Sequence, residues 1–208
     1  MSATAPSRED YYRVMAEILP DDALVITSLG NASYLWACLR DRPENFYIED
    51  CMGLALPLAV GVAASLPSRK VVCAEGDGGL VMHFGTLVTI GALAPENLTV
   101  LLAHNRVYAS SGGQPLGHQA LDLAQVARST GFQRAENVRS PEDFEKIFAS
   151  AIEGGGPSLL SLAMESDPQI VVPPFPFNPA AIKQRFMGAI GAPPYVPSRF
   201  EQGRSVSA

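Results

Sequence analysis

Residues 70–105 read KVVCAEGDGGLVMHFGTLVTIGALAPENLTVLLAHN, and they decide the fold. Lys70 to Glu75 and Asn97 to Ala103 are short apolar runs rich in branched residues and bounded by breakers, as buried parallel strands are. Between them, Leu80 to Leu93 has helical rather than alternating spacing. The unit is therefore strand, helix, strand, a crossover that is almost always right-handed. Ligands of such a sheet gather at the carboxyl ends of its strands. Gly76-Asp77-Gly78-Gly79 closes the first strand there, and His104-Asn105 closes the second.

These residue types suit a magnesium diphosphate. Mg²⁺ takes a near-octahedral shell of oxygens and is usually held by one or two carboxylates together with substrate phosphates and water. Asp77 offers an anionic oxygen and Asn105 a neutral one, which leaves room for the negative diphosphate. Gly76, Gly78 and Gly79 lack a Cβ, so the loop is expected to take unusual dihedrals and to turn its N–H groups toward phosphate oxygens. A second phosphate loop is expected at Ser28 to Ser33, after the apolar strand Ala23 to Thr27. There Gly30, Asn31 and the Ser33 hydroxyl would hold the terminal phosphate, the alternative being an ordinary helix cap on Asn31 or Ser33.

The Gly-Asp-Gly with Asn105 beyond it resembles the cofactor-binding motif of thiamine diphosphate (TPP) enzymes, in which the first of two asparagines is here His104. The resemblance implies that Mg²⁺ takes Asp77, Asn105 and the main-chain carbonyl of Val107, with Tyr108 beside the cofactor. Asp41 to Tyr47, Met52 to Ala55 and Ser111 to Pro115 extend the likeness to the β subunits of sulfopyruvate decarboxylase and the matching part of phosphonopyruvate decarboxylase. In these enzymes a bulky residue, here Met52, wedges the cofactor into its bent form, and main-chain groups at Asp50 and Met52 contact the aminopyrimidine. On residues alone, Met52 instead opens a buried helix over Met52 to Leu66.

The implied fold is α/β: an open doubly wound parallel sheet with helices on both faces, a diphosphate-binding domain over residues 1–171. Residues 172–208 would form a Pro-rich extended tail with helical spacing over Pro179 to Ile190, either draped over a neighbouring subunit or disordered at its tip. The other helices are expected over Arg8 to Leu19, Ala32 to Leu39, Phe84 to Leu93, Ala120 to Thr130 and Pro141 to Ile152, with further strands near Phe132 to Ala135 and at Ser158 to Ala163. With 47% hydrophobic residues and 17% charged, the chain is composed as a globular domain. A net charge of −6 argues against a nucleic-acid partner. Met1 to Asp10 lacks the apolar core of a secretory signal, and the longest apolar stretch is too short for a membrane span, so a cytoplasmic protein is expected. Cys38, Cys51 and Cys73 suit reduced thiols and lack the spacing of an iron–sulfur cluster, which sets aside the 2-oxoacid:ferredoxin oxidoreductases. Cys51 would be buried or would line the pocket.

The resemblance implies a TPP- and Mg²⁺-dependent decarboxylase of a 2-oxo acid, an anionic pyruvate such as sulfopyruvate or phosphonopyruvate. Its activating glutamate would come from a separate pyrimidine-binding α subunit, giving (αβ)₂ or a larger assembly. A carboligase of acetolactate synthase type and a non-catalytic cofactor-binding subunit stay open beside it. His104 and His118 are the candidate proton donors, with His83 on a helix surface. Arg40, Arg42 and Arg106 are the candidate partners of a sulfonate or phosphonate. Asp77→Ala should sharply weaken Mg²⁺-dependent TPP binding in calorimetry while the circular dichroism spectrum is retained; unchanged affinity would remove the metal assignment.

Overall fold

Val71 and Cys73 pack into one apolar cluster, and Val72 and Ala74 into another. Successive strand residues point to opposite faces, so a run that is apolar throughout belongs to a strand covered on both sides. The computed structural model describes residues 5–117, 120–166 and 178–193. In chain order its elements are α1 (Arg8–Ile18), β1 (Leu24–Thr27), α2 (Asn31–Arg40), β2 (Asn45–Tyr47), α3 (Ala55–Ser65), β3 (Val71–Gly76), α4 (Asp77–Met82) and α5 (Thr86–Leu93). They continue with β4 (Leu98–His104), β5 (Val107–Tyr108), β6 (Gln114–Pro115), α6 (Leu123–Ser129), β7 (Arg134–Val138), α7 (Pro141–Glu153), β8 (Ser158–Ala163) and α8 (Pro179–Ala189).

Six strands form a parallel sheet in the order β2-β1-β3-β4-β8-β7. Leu56 and Ala59 of α3, Leu87 and Ile90 of α5 and Ala124 of α6 cover one face. Tyr11 and Met15 of α1, Trp36 of α2 and Phe144 and Phe148 of α7 cover the other. The expected doubly wound fold is therefore observed. From β1 the chain steps outward to β2, then returns to lay β3 on the other side of β1 and proceeds to β4. That reversal is a topological switch point, and it opens a crevice at the carboxyl ends of β1 and β3.

Several boundaries differ from expectation. The helix expected from Met52 starts at Ala55, which puts Pro57 in its first turn, where a missing N–H costs nothing. The single helix expected before β4 is two, because α4 ends with His83 as its C-cap and α5 restarts at Thr86. β2 and the β5–β6 hairpin were not anticipated: each strand has only two or three residues, too few to display a period. The strand expected near Phe132 lies at Arg134–Val138. α8 packs on its own chain, with Phe186 edge-on to Phe46 at 5.4 Å and Arg185 paired with Asp41 at 2.9 Å.

Gly91 of α5 lies against the end of α6, where a Cβ would stand 1.5 Å from the Thr130 carbonyl oxygen. Backbone cannot swing aside as a side chain can. Gly91→Ala should therefore cost about 2–3 kcal/mol, read as a thermal midpoint lowered by roughly 5–10 °C. An unaltered midpoint would show that α5 and α6 are not in firm contact.

Candidate functional site

Asp77 is the first residue of α4, immediately beyond β3, and its side chain is 2% exposed. The Gly78 N–H donates to its Oδ1 at 2.8 Å, and the Arg106 N–H donates to Oδ2 at 2.7 Å. Gly76 is level with Ala103 in the β3–β4 ladder, so Asp77 and Asn105 leave the sheet at nearly the same height. Arg106 holds φ +63° to aim its N–H at the carboxylate, a left-handed conformation that side chains other than glycine seldom take. Burial pushes the Asp77 carboxyl above its ordinary range. The N–H groups of Arg106 and Gly78, and then the charges of His104 and Arg8, pull it back only in part.

Asn105 and Val107 follow at the end of β4, and the Asn105 Oδ1 accepts from the Val107 N–H at 3.1 Å. With Asp77 they line a cavity at the switch point. Ser28, Leu29, Asn31, Ala32, Met52, Gly76, Gly78, Gly79, Tyr108 and Arg8 share its wall. Among the described residues no three His, Cys, Asp or Glu side chains cluster to hold a metal. A cation here would therefore take a mixed set of hard oxygens: carboxylate, amide and main-chain carbonyl. That set suits Mg²⁺ and poorly suits a thiophilic ion.

The glycines serve space rather than torsion. Gly76 holds φ −89° and ψ 152°, and Gly78 and Gly79 belong to α4, so the expected unusual dihedrals do not occur. A Cβ on Gly78 would lie 2.6 Å from the Tyr108 ring, and one on Gly79 would lie 2.4 Å from the Glu75 Oε1. At Gly76 nothing stands within 4 Å, and that position faces the cavity.

On the opposite wall, α2 begins at Asn31 with Gly30 as its N-cap, at φ +71°, and no side chain caps it. Neither Asn31 nor Ser33 is the cap that residue types alone had allowed. Ser33 is buried and its hydroxyl is committed to the Ser28 carbonyl and the Thr27 hydroxyl, both at 2.8 Å, so it does not reach a phosphate as expected. Gly30 shapes the turn without lining the cavity. Met52 lines it from an irregular turn ahead of α3, whereas Asp50 is exposed, holds φ +53° and does not.

Other expectations are corrected. His104 is outside this wall: its Nδ1 meets the Ser161 hydroxyl at 3.1 Å, and it lines a neighbouring cavity with Arg106 and Arg139. His118 lies outside the described residues. Arg40 donates to the carbonyls of Ala16 and Leu19, and Arg42 to those of Pro20, Asp21 and Ala23, at the amino end of the sheet, so neither faces this cavity. Cys51 is exposed instead of buried. Ser28, the first residue of the expected second loop, does line the cavity, whereas Arg8 was missed because it comes from an ordinary amphipathic helix.

Comparison with known proteins identifies the family. The family described as "Thiamine pyrophosphate enzyme, C-terminal TPP binding domain" matches residues 29–162. Phosphonopyruvate decarboxylase of Streptomyces viridochromogenes is 36% identical over 93% of this chain and 48% of its own. The chain thus spans about half the length of that relative. Sulfopyruvate decarboxylase subunit beta of Methanothermobacter thermautotrophicus is 39% identical over 64% of this chain and 70% of its own. Among solved structures, benzoylformate decarboxylase from Polynucleobacter necessarius superposes with a TM-score of 0.69 at 16% identity, over 81% of this chain and 34% of that one.

Behind the cavity, Glu75 is fully buried. Its Oε1 accepts from the Gly76 N–H at 2.9 Å, while Oε2 has no hydrogen-bond partner. The Ser28 hydroxyl and the N–H groups of Ala55 and Leu56 lie close enough to favour the charged form without completing a bond to Oε2. Burial outweighs them and pushes the pKa above the ordinary 4.5. A carboxyl raised on folding leaves stability intact below its unfolded pKa and removes it as pH climbs through the folded value, by at most about 1.4 kcal/mol per pH unit. Urea midpoints of the metal-free chain from about pH 4 to about pH 8 should therefore shift progressively in favour of Glu75→Gln over wild type as pH rises. A pH-independent difference would show that Glu75 does not titrate there.

Proposed function

The chain belongs to the thiamine pyrophosphate enzymes through their C-terminal TPP-binding domain, and from this we propose that it is the β subunit of a TPP- and Mg²⁺-dependent 2-oxoacid decarboxylase. Its substrate is an anionic pyruvate, sulfopyruvate or phosphonopyruvate, and a pyrimidine-binding α subunit completes the site. The observation that carries this reading is the meeting of Asp77, Asn105 and Val107 in one cavity at the switch point.

When bound, the cofactor supplies an electron sink for the carbon–carbon bond that loses CO₂. Asp77, Asn105 and the Val107 carbonyl would hold the Mg²⁺ that carries its diphosphate. The N–H groups at the uncapped start of α2, aided by the helix dipole, would receive phosphate oxygens. Met52 would support the cofactor's bend from the cavity wall. Tyr108, leaning on Gly78 from the β5–β6 hairpin, would keep water from the metal.

Two features support a partner chain. Both similar decarboxylases bear on this: one is named as a beta subunit, and the other is about twice as long as the present chain. Leu54, Met82, Phe84, Val88 and Leu93 are large apolar side chains left exposed along α3–α5, beside the Met52 and Gly79 wall. An α subunit docked there would cover them and reach the cavity. No helix among the described residues is long and apolar enough to cross a membrane.

Calorimetry with TPP and Mg²⁺, on the chain alone and with a pyrimidine-binding chain that carries the activating glutamate, tests this function. Binding that appears or tightens with the second chain, followed by CO₂ release from sulfopyruvate or phosphonopyruvate, is the expected result. Binding without decarboxylation of either acid would overturn the substrate, and no binding in either case would overturn the function.

A further inference from the structure

Arg8 opens α1, is 6% exposed, and lines the same cavity as Asp77 and the start of α2. It lies outside residues 29–162, the part that matches the cofactor-binding family. Its position is firmly built. Ser7 caps α1 by a reciprocal pair with Asp10: the Ser7 N–H donates to the Asp10 carboxylate at 2.8 Å, and the Asp10 N–H donates to the Ser7 hydroxyl at 3.2 Å. One turn on, the Tyr11 hydroxyl donates to the Ala163 carbonyl at 3.0 Å, which ties α1 to the end of β8. Tyr12 stands edge-on to Trp36 of α2 at 5.9 Å. The first turn of α1 is thus fixed between the sheet and the helix whose start forms the facing wall.

The charges of the wall then define its ligand. Among the described residues that line the cavity, Arg8 and Asp77 carry formal charge. A divalent cation on Asp77 leaves an excess of positive charge that Arg8 increases, so a lone cation is disfavoured and a cation bound together with a polyanion is favoured. A guanidinium offers a planar fork of donors that matches phosphate oxygens and, unlike an ammonium, orients them.

We infer that Arg8 is a diphosphate-recognition residue that makes the cavity select a diphosphate ester over the corresponding monophosphate, an assignment that rests on the TPP reading above. It takes phosphate oxygens that Mg²⁺ on Asp77 does not neutralise. A thiamine monophosphate, with one phosphate for the metal, leaves Arg8 without that contact.

The test is calorimetry with thiamine diphosphate and thiamine monophosphate, each with Mg²⁺, in the same preparation that binds the diphosphate, for wild type, Arg8→Gln and Arg8→Lys. Arg8→Gln should weaken the diphosphate by about tenfold or more and the monophosphate little, which narrows the preference. Arg8→Lys should keep the fold and the charge and recover part of the loss; it decides the matter if Arg8→Gln does not fold. An unchanged preference in the variants, or equal loss for both ligands, would overturn the role of Arg8 while leaving the cofactor reading intact. Failure of wild type to bind the diphosphate would overturn both.

Discussion

Everything at the carboxyl edge of the sheet depends on one carboxylate being held between two backbone amides. Asp77 receives Gly78 on one oxygen and Arg106 on the other, so the residue after β3 is tied to the residue after Asn105, although nearly thirty positions separate them. The tie is expensive to build. It needs a left-handed backbone at Arg106 and a charge kept from water, and burial alone would favour the neutral acid. A divalent cation reverses that preference, because the anion then has a partner that no amide can replace.

The sheet was legible because its central strands are buried on both faces. Val71 to Ala74 and Leu98 to Ala103 do not alternate polar and apolar when both sides face helices, so they appear as apolar runs broken only at the buried Thr99. β2 escaped notice for the opposite reason. It has three residues at the sheet edge, Asn45 is polar, and the Asn45 amide bonds the Arg40 carbonyl and the Tyr47 hydroxyl rather than an apolar layer. The division of the helix before β4 into α4 and α5 was equally hidden, since the turn at His83 to Gly85 interrupts a stretch whose composition stays helical.

Of the cavity, the parts carried by a spacing were readable and the parts carried by tertiary approach were not. Gly76, Asp77 and Asn105 belong to a pattern within one crossover. Arg8 arrives from an element that only the folded sheet brings near, and nothing local marks it. Ser33 shows the converse failure: its residue type suits a phosphate, but the hydroxyl is spent on closing the turn between β1 and α2. The glycines were noticed correctly and explained wrongly. Gly78 and Gly79 yield volume to Tyr108 and Glu75, which only the packed structure reveals.

The cavity wall is assembled from the start of α1, the turn after β1, the turn before α3, the start of α4 and the hairpin after β4. None of these segments can form it alone, and an unfolded chain presents no such surface. Free energy from a ligand bound there is thus added to the free energy of folding, about 2.7 kcal/mol when the ligand is present at a hundred times its dissociation constant. A ligand that binds only the folded chain lowers the fraction open to proteolysis, and its removal raises that fraction again.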